Sequence, residues 1–207
     1  MKIIDISMSV YNGMILYPGD PKVDIKKEKT FQKDGVIVSK IAMGLHTGTH
    51  IDAPLHYLPD GKTIDQIPLE SLTGNALVCD LSSVNDYIGA KDLKKFLIDK
   101  GDIVFLKTKN SRINRKKFPK NYVYLDPEGA DYLIEKEIKA IGIDCLSIEK
   151  FDIIDAIVHK KLLRKEIPII EGLVLGHVAG GRYLTHCSPL KILGAEASPA
   201  RCVLVQK

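Results

Sequence analysis

Tryptophan is absent from this 207-residue chain, and aromatic residues together make up only 6% of it. Cysteine is nearly as scarce. The four cysteines, Cys79, Cys145, Cys187 and Cys202, lie far apart with no CxxC pair, which excludes a disulfide scaffold and a thiolate zinc site. Their neighbours are apolar, as in LVCDL and ARCVLV, so they read as small buried hydrophobes of a protein kept reduced in the cytoplasm. No apolar run approaches the roughly eighteen residues of a membrane span. The opening MKIIDISMSVYNG carries too short an apolar run for a secretory signal. Charge of one sign is also lacking. The formal net charge is +4, and the lysines are scattered rather than gathered into a basic stripe interleaved with aromatics, so nucleic acid is not an expected partner. The denser basic segments, Lys107 to Lys120 and Lys160 to Lys165, read as solvated faces. Internal repeats and low-complexity segments are missing too.

What remains is the composition of one soluble globular domain spanning residues 1–207, with 45% hydrophobic and 27% charged residues. Ile3 to Ser7 reads as a first strand, and Tyr11 to Pro21 as a loop unusually rich in apolar residues. Val23 to Phe31 and Val36 to Met43 alternate about Lys33-Asp34-Gly35 as a hairpin would. Further strands are expected at Ala76 to Leu81, Ile103 to Leu106, Tyr122 to Leu125, Ala140 to Ile143 and Ile169 to Leu175. Helices are expected over Lys91 to Lys100, with Leu93, Phe96 and Leu97 inward, from Asp126-Pro127-Glu128 to about Lys136, and over Ala156 to Lys165, with Ile157, Leu162 and Val158 inward. Strand and helix alternate from Ala76 to Lys165, which predicts a parallel α/β layer following hairpin-rich sheet. The fold class is α/β, with a central mixed β-sheet and flanking helices.

Chemistry concentrates in HTGTHIDAPLH, His46 to His56. His46, His50, Asp52 and His56 all fall on even positions, so an extended chain points them to one side. Four extended residues span about 13 Å, too far for comfort when two imidazoles share an ion at about 2.0 to 2.1 Å. A bend between His46 and His50 is therefore required, and Gly48 stands at its midpoint. A helix would turn Asp52 away. Two histidines and a carboxylate on zinc leave a position open for water, which is a catalytic arrangement.

This motif resembles the HxGTHxDxPxH signature of the cyclase and arylformamidase family of metal-dependent hydrolases, which includes bacterial kynurenine formamidases. The resemblance continues through YPGDP (Tyr17 to Pro21), GID (Gly142 to Asp144), IIEGLVL (Ile169 to Leu175) and ASPARCVLV, covering nearly the whole chain. It implies a swivelling β/β/α architecture. From the residues alone, Glu171 is the one charge in an apolar strand, and it either faces solvent, pairs with a basic side chain or binds metal. The resemblance implies the last, with His159 and Glu171 joining His46, His50 and Asp52 as ligands. Five ligands exceed the need of one tetrahedral zinc, so two ions bridged by Asp52 and Glu171 are expected, with zinc or manganese both suited. The family assigns the histidine matching His56 to proton transfer, and the tryptophan matching Tyr17 to substrate contact.

The implied activity is arylformamidase-like hydrolysis of an amide or formamide, with N-formylkynurenine, an intermediate of tryptophan catabolism, as the family's best-known substrate. Water activated by the metal would attack the carbonyl while His56 moves the proton. The expected partner is a small-molecule amide, and the family suggests a homodimer or higher homo-oligomer. Tyr17 in place of tryptophan, and the glycine- and histidine-rich segment GHVAGGRYLTHC, depart from the kynurenine formamidases. A cyclic amide, as for isatin hydrolases, and a metal-binding protein without turnover are the rival readings. His177 and His186 are expected to be non-ligands, and the pairs Asp20 and Asp24, and Asp152 and Asp155, carry no assigned role.

Overall fold

Strand periodicity divides the apolar residues between two cores. Along β5 (Thr73–Asp80), Leu77 and Cys79 join one core while Ala76 and Val78 join the other. The same division recurs in β7 (Ile103–Lys107), where Val104 and Leu106 oppose Ile103 and Phe105, and in β9 (Ala140–Ile143), where Ile141 and Ile143 oppose Ala140. In β10 (Ile169–Glu171), Ile169 and Ile170 part the same way. Strands buried on both faces must have cover on both, and the computed structural model, which describes residues 1–112 and 117–206, shows what supplies it.

The central sheet has eight strands in the order β1-β12-β11-β5-β7-β9-β10-β4, where β1 is Lys2–Asp5, β4 His50–Asp52, β11 Gly181–Pro189 and β12 Ala197–Gln206. Because β12 also pairs with β4, the strands from β12 round to β4 close on themselves like a barrel, and β1 is appended to β12. The pairs β5–β7, β7–β9 and β9–β10 are parallel, and those of β4, β11 and β12 are antiparallel, so the sheet is mixed as expected. Ile51, Phe105, Ile170, Cys187, Cys202 and Leu204 share the inner core. The outer core lies under three short helices, α2 (Ala90–Leu93), α3 (Pro127–Glu135) and α4 (Ile157–Arg164), through Leu93, Ala130, Leu133, Val158, Leu162 and Leu163. A separate hairpin, β2 (Asp24–Lys29) against β3 (Val38–Ala42), turns through the single-turn α1 (Phe31–Asp34) and Gly35, and short parallel β6 (Tyr87–Ile88) and β8 (Tyr124–Leu125) form a third sheet.

Local signals explain the helix at Pro127. Asp126 accepts the Gly129 N–H at 2.6 Å, capping α3 just ahead of its first-turn proline. Other expectations need correction. The helix expected over Lys91 to Lys100 ends at Leu93, and Leu97 is exposed, because the chain turns to bury Ile98 instead. Ile157 of α4 is exposed, with Val158 and His159 facing inward beside Leu162. The strand expected through Leu175 stops at Glu171, where Gly172 takes a φ of 68°. The first strand ends at Asp5, with Ile6 buried beyond it. The glycine- and histidine-rich segment enters a strand, since β11 begins at Gly181 and alternates buried Thr185 and Cys187 with exposed His186 and Ser188. In the basic segment, Lys107 is held by Asp80 and the Val178 carbonyl rather than by solvent, and residues 113–116 of that segment lie outside the described residues. All four cysteines are free and buried.

Candidate metal centre and active site

Register places the acid and base side chains before any loop does. In the antiparallel pair β10–β4, Ile170 lies opposite Ile51, Glu171 opposite His50 and Ile169 opposite Asp52. Ile51 and Ile170 point into the inner core, so alternation turns His50, Asp52 and Glu171 to the outer face, where α4 delivers His159. His46 reaches the same point because the chain bends at Gly48, whose φ is 67°. Thr49 fastens that bend. Its hydroxyl donates to the Gly172 carbonyl at 2.6 Å and accepts the Met8 N–H at 2.8 Å.

The five side chains form two triads that share Asp52: His46, His50 and Asp52, and Asp52, His159 and Glu171, each with ligand atoms within 4.8 Å of one another. His50 Nδ1 donates to the Gly48 carbonyl at 3.0 Å, and His159 Nδ1 donates to Glu149 Oε2 at 2.7 Å. Each ring therefore turns its Nε2 toward carboxylates. His50 Nε2 lies 3.4 Å from both Asp52 Oδ1 and Glu171 Oε2, and His159 Nε2 lies 3.2 Å from Glu171 Oε1. His46 Nδ1 is 2.9 Å from Asp52 Oδ1. Yet His50 Nε2 and both Asp52 oxygens are buried without a hydrogen-bond partner. Lone pairs converging at such distances, out of water, are costly unless a cation or protons lie between them.

The charge balance shows the same demand. Burial alone would push the His50 and His159 imidazoles down, but the carboxylates of Asp52 and Glu171 for the first, and of Glu149 and Glu171 for the second, hold each up at about 10. His46 is raised by Asp52 against the same burial. Burial and the neighbouring Asp52 carboxylate oppose ionisation of Glu171, and the His159 and His50 rings still hold it down at about 2. Asp52 is likewise held well below the ordinary carboxylate value by His46 and His50 despite its burial. Imidazole and carboxylate donors in this number fit a divalent cation such as zinc or manganese.

His56 belongs to neither triad. It closes a short helical turn, Pro54–His56, and its ring centroid stands 4.2 Å from that of His46. Burial pushes its pKa below the ordinary imidazole value, leaving a neutral base beside the cluster. Tyr17, His46, His50, His56, Tyr57, Glu149, His159 and Glu171 line one open cleft with a cavity volume of about 200 Å³. Tyr17 stands edge-on to Phe118 at 5.1 Å and near Phe151 at 6.0 Å. His177 and His186 lie on the surface instead, the former on the Asp5 carbonyl and the latter between the Thr73 and Ser188 hydroxyls.

Sequence reasoning passed over Glu149, Tyr57 and Asp20, all of which line this cleft. Glu149 also accepts the Val158 and His159 N–H groups at the start of α4. An acid upstream of a helix that bears a candidate ligand was the available signal, but Asp152 and Asp155 stand closer to that helix in sequence and are exposed.

A family model described as "Putative cyclase" matches residues 4–150. The chain belongs to this cyclase family. It is 35% identical to the kynurenine formamidase of Bacillus cytotoxicus over 202 residues, 97% of this chain and 96% of that protein. A solved structure described as a potential metal-dependent hydrolase with cyclase activity is 39% identical, with a TM-score of 0.87 over 98% of this chain and 96% of the other. Isatin hydrolase A from Labrenzia aggregata, bound to benzyl benzoate, superposes with a TM-score of 0.88 over 100% of this chain and 94% of the other, at 20% identity, and shares its fold.

Proposed function

We propose that this protein is a metal-dependent amidohydrolase that cleaves a C–N bond outside peptides, with an N-formyl arylamine such as N-formylkynurenine as the leading substrate. The observation that carries this reading is the convergence of His46, His50, Asp52, His159 and Glu171 with unpartnered lone pairs, beside the neutral and uncommitted imidazole of His56. The two triads would hold one or two divalent ions, with zinc or manganese both compatible with the donors. A divalent cation held there supplies a Lewis acid and lowers the pKa of a water molecule.

The chain's own residues do the rest. His56 takes a proton from the attacking water and returns it to the departing nitrogen, a task suited to an imidazole that burial favours in its neutral form. Tyr17, packed on Phe118 and Phe151, forms an aromatic wall for the aryl group of the substrate. Glu149 fixes the tautomer of His159. A site built only to hold metal would have no use for His56. The remaining parts of the reading are a swivelling β/β/α arrangement, supported by the division into two cores, a cytoplasmic location and a homodimer or higher homo-oligomer.

Protein reconstituted in turn with zinc, manganese and other divalent ions should turn over formyl-arylamines or cyclic amides, with metal measured by elemental analysis. His50→Ala and Glu171→Ala should lose the metal while His186→Ala keeps it. Wild-type metal content in both of the first two variants would refute the ligand set.

A further inference from the structure

Among the described residues, the carboxylate oxygens buried without a hydrogen-bond partner are both oxygens of Asp52 and Oδ2 of Asp20. The first pair is explained by the metal triads, and Asp20 belongs to neither triad. Other buried acids are satisfied within the protein. Asp144 accepts from the backbone N–H and hydroxyl groups of both Thr108 and Ser111, and Glu149 accepts from Val158 and from His159. Asp20 has no such arrangement.

Its position says what is missing. Asp20 closes the turn of the first loop, where its N–H bonds the Tyr17 carbonyl at 3.1 Å, and its side chain lines the cleft with Tyr17, His46 and His50. Burial raises its pKa above the ordinary carboxylate value, with the His46 and His50 rings acting the other way and the Glu171 and Asp52 carboxylates adding to the rise. Those four groups belong to the metal cluster, and Asp20 lines the cleft into which that cluster opens. An ionised carboxylate accepts hydrogen bonds and donates none. Leaving one partly desolvated costs free energy that an incoming donor can recover.

We propose that Asp20 is a specificity-determining residue whose Oδ2 accepts the N–H of the scissile amide, so that the cleft selects amides with an N–H over the corresponding esters. The inference rests on the amidohydrolase reading and goes further, because it names a required donor on the leaving atom. An ester oxygen in the same place would set lone pair against lone pair.

The test compares wild-type, Asp20→Ala and Asp20→Asn holoenzymes on formanilide and phenyl formate, which differ in N–H against O at the leaving atom. Binding of oxindole and 2-indanone, N–H against CH₂ in a similar frame, is measured calorimetrically on the same proteins and requires no turnover. Asp20→Ala should lower kcat/KM on formanilide by about 10- to 10²-fold relative to phenyl formate, and weaken oxindole relative to 2-indanone by a similar factor, the range for a hydrogen bond to a charged group. Asp20→Asn, which keeps an accepting oxygen, should fall between. Equal changes in both members of each pair, or loss of metal from Asp20→Ala, would overturn the proposal. If wild type turns over neither substrate but its preference for oxindole depends on Asp20, the amidohydrolase reading fails while recognition of an N–H by Asp20 stands, without its role toward a scissile bond.

Discussion

His159 and Glu149 are joined at 2.7 Å, Nδ1 to Oε2, on the side of the imidazole away from the cluster. That bond leaves Nε2 free to face Glu171 and Asp52. A carboxylate behind a metal-binding imidazole fixes its tautomer and raises its basicity. Because Glu149 also takes two N–H groups from the first turn of α4, it couples the placement of the helix to the aim of the histidine.

Glu149→Ala should therefore weaken metal binding by about 10- to 10²-fold and cost about 1 kcal/mol of stability through the lost helix cap. Glu149→Gln, which retains an acceptor for Nδ1–H, should recover much of the affinity. Chelator competition combined with thermal unfolding of the metal-free proteins separates the two effects. Unchanged affinity in Glu149→Ala would reduce Glu149 to a cap.

His56→Ala should keep its metal and lose turnover by about 10²- to 10⁴-fold, the contribution of a positioned proton carrier. Its pKa lies below the ordinary 6.5 because burial disfavours the charged ring, and a cation bound at His46 pushes the same way. The base form thus exists above that lowered value. The acid limb of kcat/KM should fall on the acid side of 6.5 and be missing in whatever activity His56→Ala retains. Loss of metal together with activity would instead make His56 a ligand.

The parts of this site legible in the sequence were those set by local chain geometry. His46, His50 and Asp52 lie within seven residues of one another, and Gly48 adopts the positive φ that the required bend called for. The parallel layer was equally plain, because Ala76 to Cys79 of β5, Ile103 to Leu106 of β7 and the whole of β9 are buried, nearly unbroken apolar runs. Closure of the sheet was not visible. It depends on β12 pairing with both β11 and β4, and β12 carries Pro199 and Arg201 within a half-exposed pattern that local propensity does not favour. Asp20 and Glu149 escaped for a related reason. Their meaning comes from which atoms lack or find partners across distant segments, and spacing does not record that.

Tyr17 stands where the resemblance implies a tryptophan, and its contacts with Phe118 and Phe151 place its ring at the wall of the cleft. A phenol offers less stacking area than an indole and adds a polar tip. Tyr17→Trp and Tyr17→Ala should therefore alter the ranking of amides by kcat/KM at constant metal content, with Tyr17→Trp shifting preference toward larger aryl groups. An unchanged ranking would leave Tyr17 a packing residue of its loop.

Gly172 directly follows Glu171 of the proposed metal centre. Its φ is 68°, and a Cβ there would come within 2.7 Å of the Gly48 carbonyl carbon and 3.1 Å of the Thr49 nitrogen. The glycine thus lets β10 pass directly against the turn that carries His46 and His50. Gly13 has a φ of 82° but open space where its Cβ would be, so it isolates the cost of backbone conformation alone. Gly13→Ala should cost about 1 to 2 kcal/mol, the left-handed penalty for a residue with a Cβ. Gly172→Ala should cost more than about 3 kcal/mol, because backbone must move as well. The displacement would part Glu171 from His50, so metal affinity should fall along with stability. Thermal unfolding with and without metal decides the matter. Similar shifts for the two variants, with metal binding intact in both, would show that the close approach at Gly172 does not hold the centre together.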